Sequence, residues 1–344
     1  GKEKELTVAC AKTQNLPNDG TVVTIHKPVK RIIHLIPSEL EAIRAIGAKD
    51  KVVGVCSFVS TEDEIFLPEL IKLPCVGIFS SPDHEKILEL KPDIVFTFPG
   101  WNPEFEDKLP GITVVRLSKF SDKMLEVKKL GYILDKKDEA EEFLDWCEGY
   151  INKIKSRTER HSEDEKPRVY LSWGTAGEGV SGKNTELDKP CTIAGGINIA
   201  GDFEGSFKID PEWVIEQNPD IIYNSHWYIS SGYAEDDPAE MKKYRGNIMS
   251  NPGWENIKAV KRGRVHIMTW KISVGHGPLM TAYMARWFHP DLFEDLDPEA
   301  IHQEYLTRFQ GLDYDLDEHG VFVYPPIEID GGLAGIPERY NGQI

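Results

Sequence analysis

No stretch of this chain approaches the roughly 20 consecutive apolar residues of a membrane span. Cysteine is sparse. Cys10, Cys56, Cys75, Cys147 and Cys191 include no CxxC pair, which argues against a cysteine zinc site. Five is an odd number, so at least one thiol is free or pairs outside the chain. No GxSxG elbow, Walker loop or GxGxxG turn is present, so the usual signatures of esterase, nucleotide-hydrolase and dinucleotide chemistry are missing. Positive charge is in deficit: 40 Lys and Arg stand against 57 Asp and Glu, for a formal net charge of −17. Such a surface repels phosphate backbones and speaks against nucleic acid as a partner.

What is present suits a soluble globular chain of 344 residues, 40% hydrophobic and 28% charged, long enough for two lobes. It opens on Gly1-Lys2-Glu3-Lys4-Glu5, which is neither a signal h-region nor a lipobox. An exported form would have lost its targeting segment, so compartment has to be argued from function.

From about residue 31, short β-branched runs alternate with helical patterns. Strands are expected at Arg31–Ile36, Lys51–Cys56, Cys75–Phe79, Asp93–Phe98 and Ile112–Leu117, and a helix opening on a Ser38–Glu41 capping box. Cys56 and Cys75 border strands of one lobe and could pair. Lys136 to Arg160 reads as one long amphipathic helix, with Ala140, Phe143, Leu144, Cys147, Ile151 and Ile154 on its apolar stripe. The alternation then restarts: strands at Arg168–Trp173, Asp220–Asn224 and Arg264–Thr269, helices at Thr192–Ala200 and Pro278–Phe288. An acidic, aromatic tail follows Pro290.

The most informative feature is an internal repeat. Glu85 to Val95 (EKILELKPDIV) and Glu212 to Ile222 (EWVIEQNPDII) align without gaps and share both glutamates, the Pro-Asp and the next Ile. Each copy reads as helix, Pro-Asp turn, buried strand. Each has a proline near the first helical turn, Pro82 and Pro211, behind capping residues Ser81 and Asp210. The expected architecture is α/β: two lobes with mainly parallel sheets, joined by a single long helix. The divisions are an N-terminal extension (1–20), a first lobe (21–135), the helix (136–165), a second lobe (166–290) and an extension packed on the second lobe (291–344). Open α/β sheets bind ligands at the carboxyl ends of their strands, here an inter-lobe cleft.

At this point the sequence resembles the class III periplasmic binding proteins that serve ABC importers of iron-siderophores, haem and vitamin B12. The resemblance is carried by Pro28 to Ser38, Leu40 to Ile43, Ile46 to Ala48, Asp50 to Val55, Glu85 to Val95, Ala194 to Asn198 and Val260 to Val265. It implies an extracytoplasmic binding protein, periplasmic or held at the outer face of the membrane by a lipid anchor. It implies a ligand containing iron or cobalt, no intrinsic cofactor, no catalysis, a monomer, and delivery to a dimeric permease with its ATPase subunits. By motif position, Glu85 and Glu212 are the glutamates that dock into arginine pockets of the permease. Two matched carboxylates at helix starts suit such a two-fold partner, although each also suits its helix dipole.

Residues just past strand ends are the cleft candidates: His34, Ser38, Phe58, Ser80 and Trp101 in the first lobe, Trp173, His226, Trp227, Tyr228, Trp270 and Lys271 in the second. Aromatic faces suit a large flat or greasy chelate. Lys271 could pair with an anionic ligand, with Lys183 a weaker candidate. His34, His226 and His276 are the weak metal candidates, without HxH or HExxH spacing. A ferric siderophore is the first choice of ligand, with a corrinoid or haem as alternative. A chelatase or hydrolase of similar architecture, and an acidic sensory or scaffold protein, are the alternatives of other classes.

Overall fold

The computed structural model describes residues 4–11, 20–59, 63–117, 123–226, 229–273 and 277–343. The chain divides into two compact units, Gly1–Trp146 and Cys147–Ile344.

The first unit begins with a hairpin of β1 (Glu5–Ala9) and β2 (Val22–His26). Its sheet holds β3 (Ile32–His34), β4 (Val52–Val55), β7 (Ile94–Thr97) and β8 (Thr113–Arg116), all parallel, in the order β4-β3-β7-β8. β3 and β7 are buried along their whole length, as strands covered on both faces must be. Around them lie α1 (Pro37–Ala45), the single turn α2 (Asp63–Phe66), a small hairpin of β5 (Gly77–Ile78) and β6 (Ser81–Pro82), α3 (His84–Leu90) and α4 (Lys123–Ile133). The core packs Ile33, Val76, Ile87, Val95 and Phe105 together. The partition between units falls inside α5 (Lys137–Thr158), the expected long helix.

The second unit is built on a seven-stranded mixed sheet. β9 (Arg168–Trp173), β13 (Ile221–His226) and β14 (Val265–Thr269) run parallel at its centre. β10 (Gly179–Ser181) and β12 (Ser206–Lys208) extend one side antiparallel, and β11 (Ile197–Asn198) pairs with the start of β9. α6 (Asp188–Ile193), α7 (Pro211–Gln217), α8 (Ala239–Met249), and the single turns α9 (Lys258–Lys261) and α10 (Trp270–Ser273), fill the connections. α11 (Gly277–Phe288) is buried around most of its circumference, as its nearly unbroken apolar sequence demands. The tail is ordered structure: α12 (Pro298–Glu304), β15 (Val323–Tyr324) laid antiparallel on β14, and a hairpin of β16 (Ile327–Ile329) and β17 (Gly332–Ala334).

The repeat has a common physical basis. α3 and α7 each have seven residues, an aspartate N-cap (Asp83, Asp210) and a left-handed residue (Lys91, Asn218) just before the proline. The aspartate after the proline then ties down the first strand of its own sheet. Asp93 Oδ2 accepts from the Lys30 and Arg31 amides at 2.7 and 2.9 Å, and Asp220 Oδ2 accepts from the Arg168 amide at 3.0 Å.

Four local expectations are corrected. Helix α1 begins at Pro37 with Ile36 as N-cap and no side-chain cap, because proline at the first helical position sets the start one residue before Ser38. Pro82 lies in β6, and Asp83 rather than Ser81 caps α3. Thr192–Ala200 is not a helix: α6 ends at Ile193, Gly195 turns at φ +82°, and the chain enters β11. Cys56 and Cys75 are free thiols. Cys56 is buried and Cys75 exposed, and burial pushes the Cys56 thiol up to about 11.

Candidate functional site

At the carboxyl edge of the first sheet, four aromatic rings converge. Phe79 stacks on Phe58 with centroids 5.9 Å apart, and meets Phe98 and Trp101 edge-on at 5.0 and 5.1 Å. Phe58 and Trp101 are 50% and 51% exposed, so this is a surface and not a core. Ser80 lies beside it, half-buried, in the β5–β6 turn. Ser38 is half-buried in the first turn of α1.

The loop that carries Trp101 is neither helix nor strand. Gly100 and Asn102, which flank the tryptophan, adopt left-handed conformations at φ +79° and +47°. The shape is held by Arg116, the last residue of β8, whose side chain is fully buried. Its Nε and Nη2 donate to the two Glu106 oxygens, each at 2.8 Å. Nη1 donates to the Phe98 and Trp101 carbonyls at 2.9 and 2.7 Å, and Nη2 also to the Asn102 carbonyl at 2.8 Å. All five N–H bonds of the guanidinium are thereby used, the condition for burying that cation. Asn102 Nδ2 donates to the Phe79 carbonyl at 2.7 Å and links the loop to the neighbouring turn.

His34 does not join this surface. It is fully buried, stacks on Phe96 at 5.1 Å, and its Nδ1 accepts from the Ile36 amide. It is a residue of the lobe interior, which removes it from the ligand and metal candidates.

In the second unit, Trp173 ends β9, and its Nε1 donates to the Val180 carbonyl at 3.3 Å. The indole lies so close over Gly179 that a Cβ there would come within 2.1 Å of the ring. The glycine-rich loop from Gly174 to Gly179 is bound by side chains: from the core, Tyr170 donates to the Gly177 carbonyl and Tyr244 and Asn224 to that of Gly174; at the surface, Asn251 donates to that of Ala176. Asn224 Nδ2 also donates to Ser172 Oγ. With its carbonyls turned to these donors, the loop is a rigid shoulder beside Trp173 and no phosphate cradle. Trp270 is half-buried at the start of α10, and Lys271 Nζ donates to the Ser231 carbonyl at 3.1 Å. Lys183 is exposed. His226 closes β13, but its side chain, like Trp227, Tyr228 and His276, lies outside the described residues.

Glu85 and Glu212 occupy the same position of α3 and α7, the second residue of a capped seven-residue helix. Both are exposed, and neither makes a side-chain hydrogen bond or ion pair among the described residues.

Sequence reasoning missed Phe98, Arg116 and Glu106. The signal for Arg116 was a lone charge closing the apolar run of Ile112 to Leu117. It also missed a group in the tail: Glu299, Asp317 and Glu338 each place a carboxylate oxygen within 4.8 Å of the others. Oxygen ligands of this kind suit a hard cation. Two of their oxygens are already engaged, by the Gly335 and Leu333 amides.

The family model described as Periplasmic binding protein matches residues 32–270, well over half of the chain. The chain belongs to this family. As a periplasmic binding protein it is the substrate-binding component of an ABC transporter and acts outside the cytoplasm. It binds a small molecule for a permease, and its relatives are solute-binding proteins and not enzymes. Among the described residues no helix is long and apolar enough to cross a membrane. This periplasmic binding protein is 25% identical over 285 residues to the uncharacterized ABC transporter substrate-binding lipoprotein YvrC of Bacillus subtilis, covering 79% of the chain and 84% of the relative. It is 24% identical over 330 residues to the molybdate-binding protein MolA of Haemophilus influenzae, covering 86% and 90%. The fold is that of the TroA-like periplasmic binding protein FepB from Veillonella parvula, with a TM-score of 0.73 at 22% identity over 90% of this chain and 97% of that one.

Proposed function

We propose that this protein captures a metal chelate, a ferric siderophore in the first instance, and hands it as a monomer to its permease. The observation that carries the reading is the aromatic surface of Phe58, Phe79, Phe98 and Trp101, two of whose rings stand half exposed at a sheet's carboxyl edge. A ligand that covers such rings must itself present a broad apolar or π face. The aryl rings of a catecholate chelate do so. A small tetrahedral oxyanion, the ligand named for the MolA relative, asks instead for converging N–H and O–H donors. Trp173, Trp227, Tyr228 and Trp270 are proposed as the second unit's contribution, with Ser38, Ser80, His226 and Lys271 as polar contacts. Glu85 and Glu212, exposed and unpaired at equivalent helix starts, are proposed as the docking carboxylates for cationic pockets of the permease.

The test is a fluorescence titration with a ferric tris-catecholate, a ferric hydroxamate, haem, cobalamin and molybdate, with free iron, zinc and manganese ions alongside. Quenching with sub-micromolar affinity by a ferric chelate is the expected result. Binding of haem or cobalamin alone would keep the surface and change the cargo. Binding of molybdate or bare ions alone would overturn the chelate reading.

A further inference from the structure

We infer that Arg116 is a positioning residue for the ligand surface: it holds the Phe98–Glu106 loop, and Trp101 with it, in the binding conformation before the ligand arrives. The inference rests on the proposed placing of the ligand at this surface and extends it to a residue that does not touch the ligand. The acceptors of the guanidinium are the reason. They are three loop carbonyls, from Phe98, Trp101 and Asn102, together with the Glu106 carboxylate further along the same segment. A buried arginine that served the sheet would spend its donors on strands. This one spends all five on a single irregular segment with two left-handed residues, Gly100 and Asn102. Glycine adopts this conformation freely, but for Asn102 it is uncommon without outside restraint. The restraint also limits direction: bonds to the Trp101 and Asn102 carbonyls set the peptide planes on both sides of the Asn102 Cα, and the first of these planes also ends on the Trp101 Cα that carries the indole. A loop ordered beforehand spares the ligand the entropy of ordering it, and when only a fraction of molecules is competent, apparent affinity falls by that fraction.

Lysine at this site keeps the charge but can satisfy at most three acceptors from one point, so the planar fork is lost. The test compares wild type with Arg116→Lys and with Glu106→Ala, which removes a 40%-exposed carboxylate and leaves the buried side chain in place. A ferric tris-catecholate is titrated by calorimetry and stopped flow, and hydrogen exchange is followed at the amides of Trp101 to Glu106. Both variants are expected to lose roughly three-fold in affinity, less than Trp101→Ala itself, through slower productive association, with a more unfavourable binding entropy and faster loop exchange. Faster exchange at wild-type affinity would overturn the inference, because the loop would then be structural only. Trp101→Ala is the control that separates the two readings. If it weakens binding while the Arg116 and Glu106 variants do not, the positioning role falls alone. If Trp101→Ala binds as wild type does, the placing of the ligand falls and takes the positioning role with it.

Discussion

Glu299 is buried beside other carboxylates. Burial pushes its carboxyl up to about 8; the Gly335 amide pulls the other way, and Asp317, Asp297 and Glu338 add to the rise. The folded protein therefore keeps a proton that the unfolded chain releases near its ordinary value of 4.5. The associated stability is complete below about pH 4.5 and drains away as pH rises through about 8. Glu299→Gln keeps an acceptor for the Gly335 amide and removes the titration. Its melting temperature is expected to match wild type near pH 4.5 and to exceed it increasingly towards pH 8, which a pH series of thermal melts will show. On the proposed ligand surface, Trp101→Ala and Phe58→Ala are each expected to cost about 1 kcal/mol of binding, roughly five-fold in Kd. Circular dichroism should be unchanged, since both rings are half exposed. Residue type was the least legible level in the sequence. Its place at a strand end makes His34 a ligand candidate in the sequence, but a strand end does not say which way a ring turns, and this one stacks inward on Phe96. The exposure of Phe58 and Trp101 was legible because they follow strands as large aromatics with no helix to bury them.

Elements were more legible than their ends. The central strands, the long helix and the repeated helix–Pro-Asp–strand unit follow from apolar runs and periodicity, which report many residues at once. Boundaries depend on single residues: Pro37 started α1 before Ser38 could cap it, and Gly195 stopped a helix that the pattern would have carried to Ala200. The repeat was visible as letters, but the task of its aspartate was not. Asp93 and Asp220 clamp the amides that lead into β3 and β9. Alanine at either position is expected to lower stability by about 1 kcal/mol, the usual worth of such a bond, and to move the urea midpoint without changing its slope. Asparagine should restore most of the loss, because its side-chain oxygen can still accept.

At the scale of the whole molecule, the proposed docking to a cationic partner rests on Glu85 and Glu212, exposed and without side-chain partners among the described residues. Glu85→Ala and Glu212→Ala are expected to leave chelate affinity unchanged while reducing stimulation of the transporter's ATPase in vesicles, the double variant more than either single one. Wild-type stimulation should fall as salt is added, since exposed charges are screened beyond about 10 Å at 0.1 M. The architecture was legible because a duplicated unit on either side of one long helix leaves few alternatives. The elements of the tail were not, because it repeats nothing earlier in the chain. Its placement on β14 has a further consequence. Val323 and Tyr324 cover backbone donors and acceptors that would otherwise form a bare sheet margin. A chain shortened to end at Phe288 would keep the whole matched region and yet expose that margin, and unprotected margins recruit strands from other molecules. Light scattering should find the shortened chain self-associating, the more so because Val321, Tyr324, Leu333 and Ile336 of the tail also complete the core of the second unit.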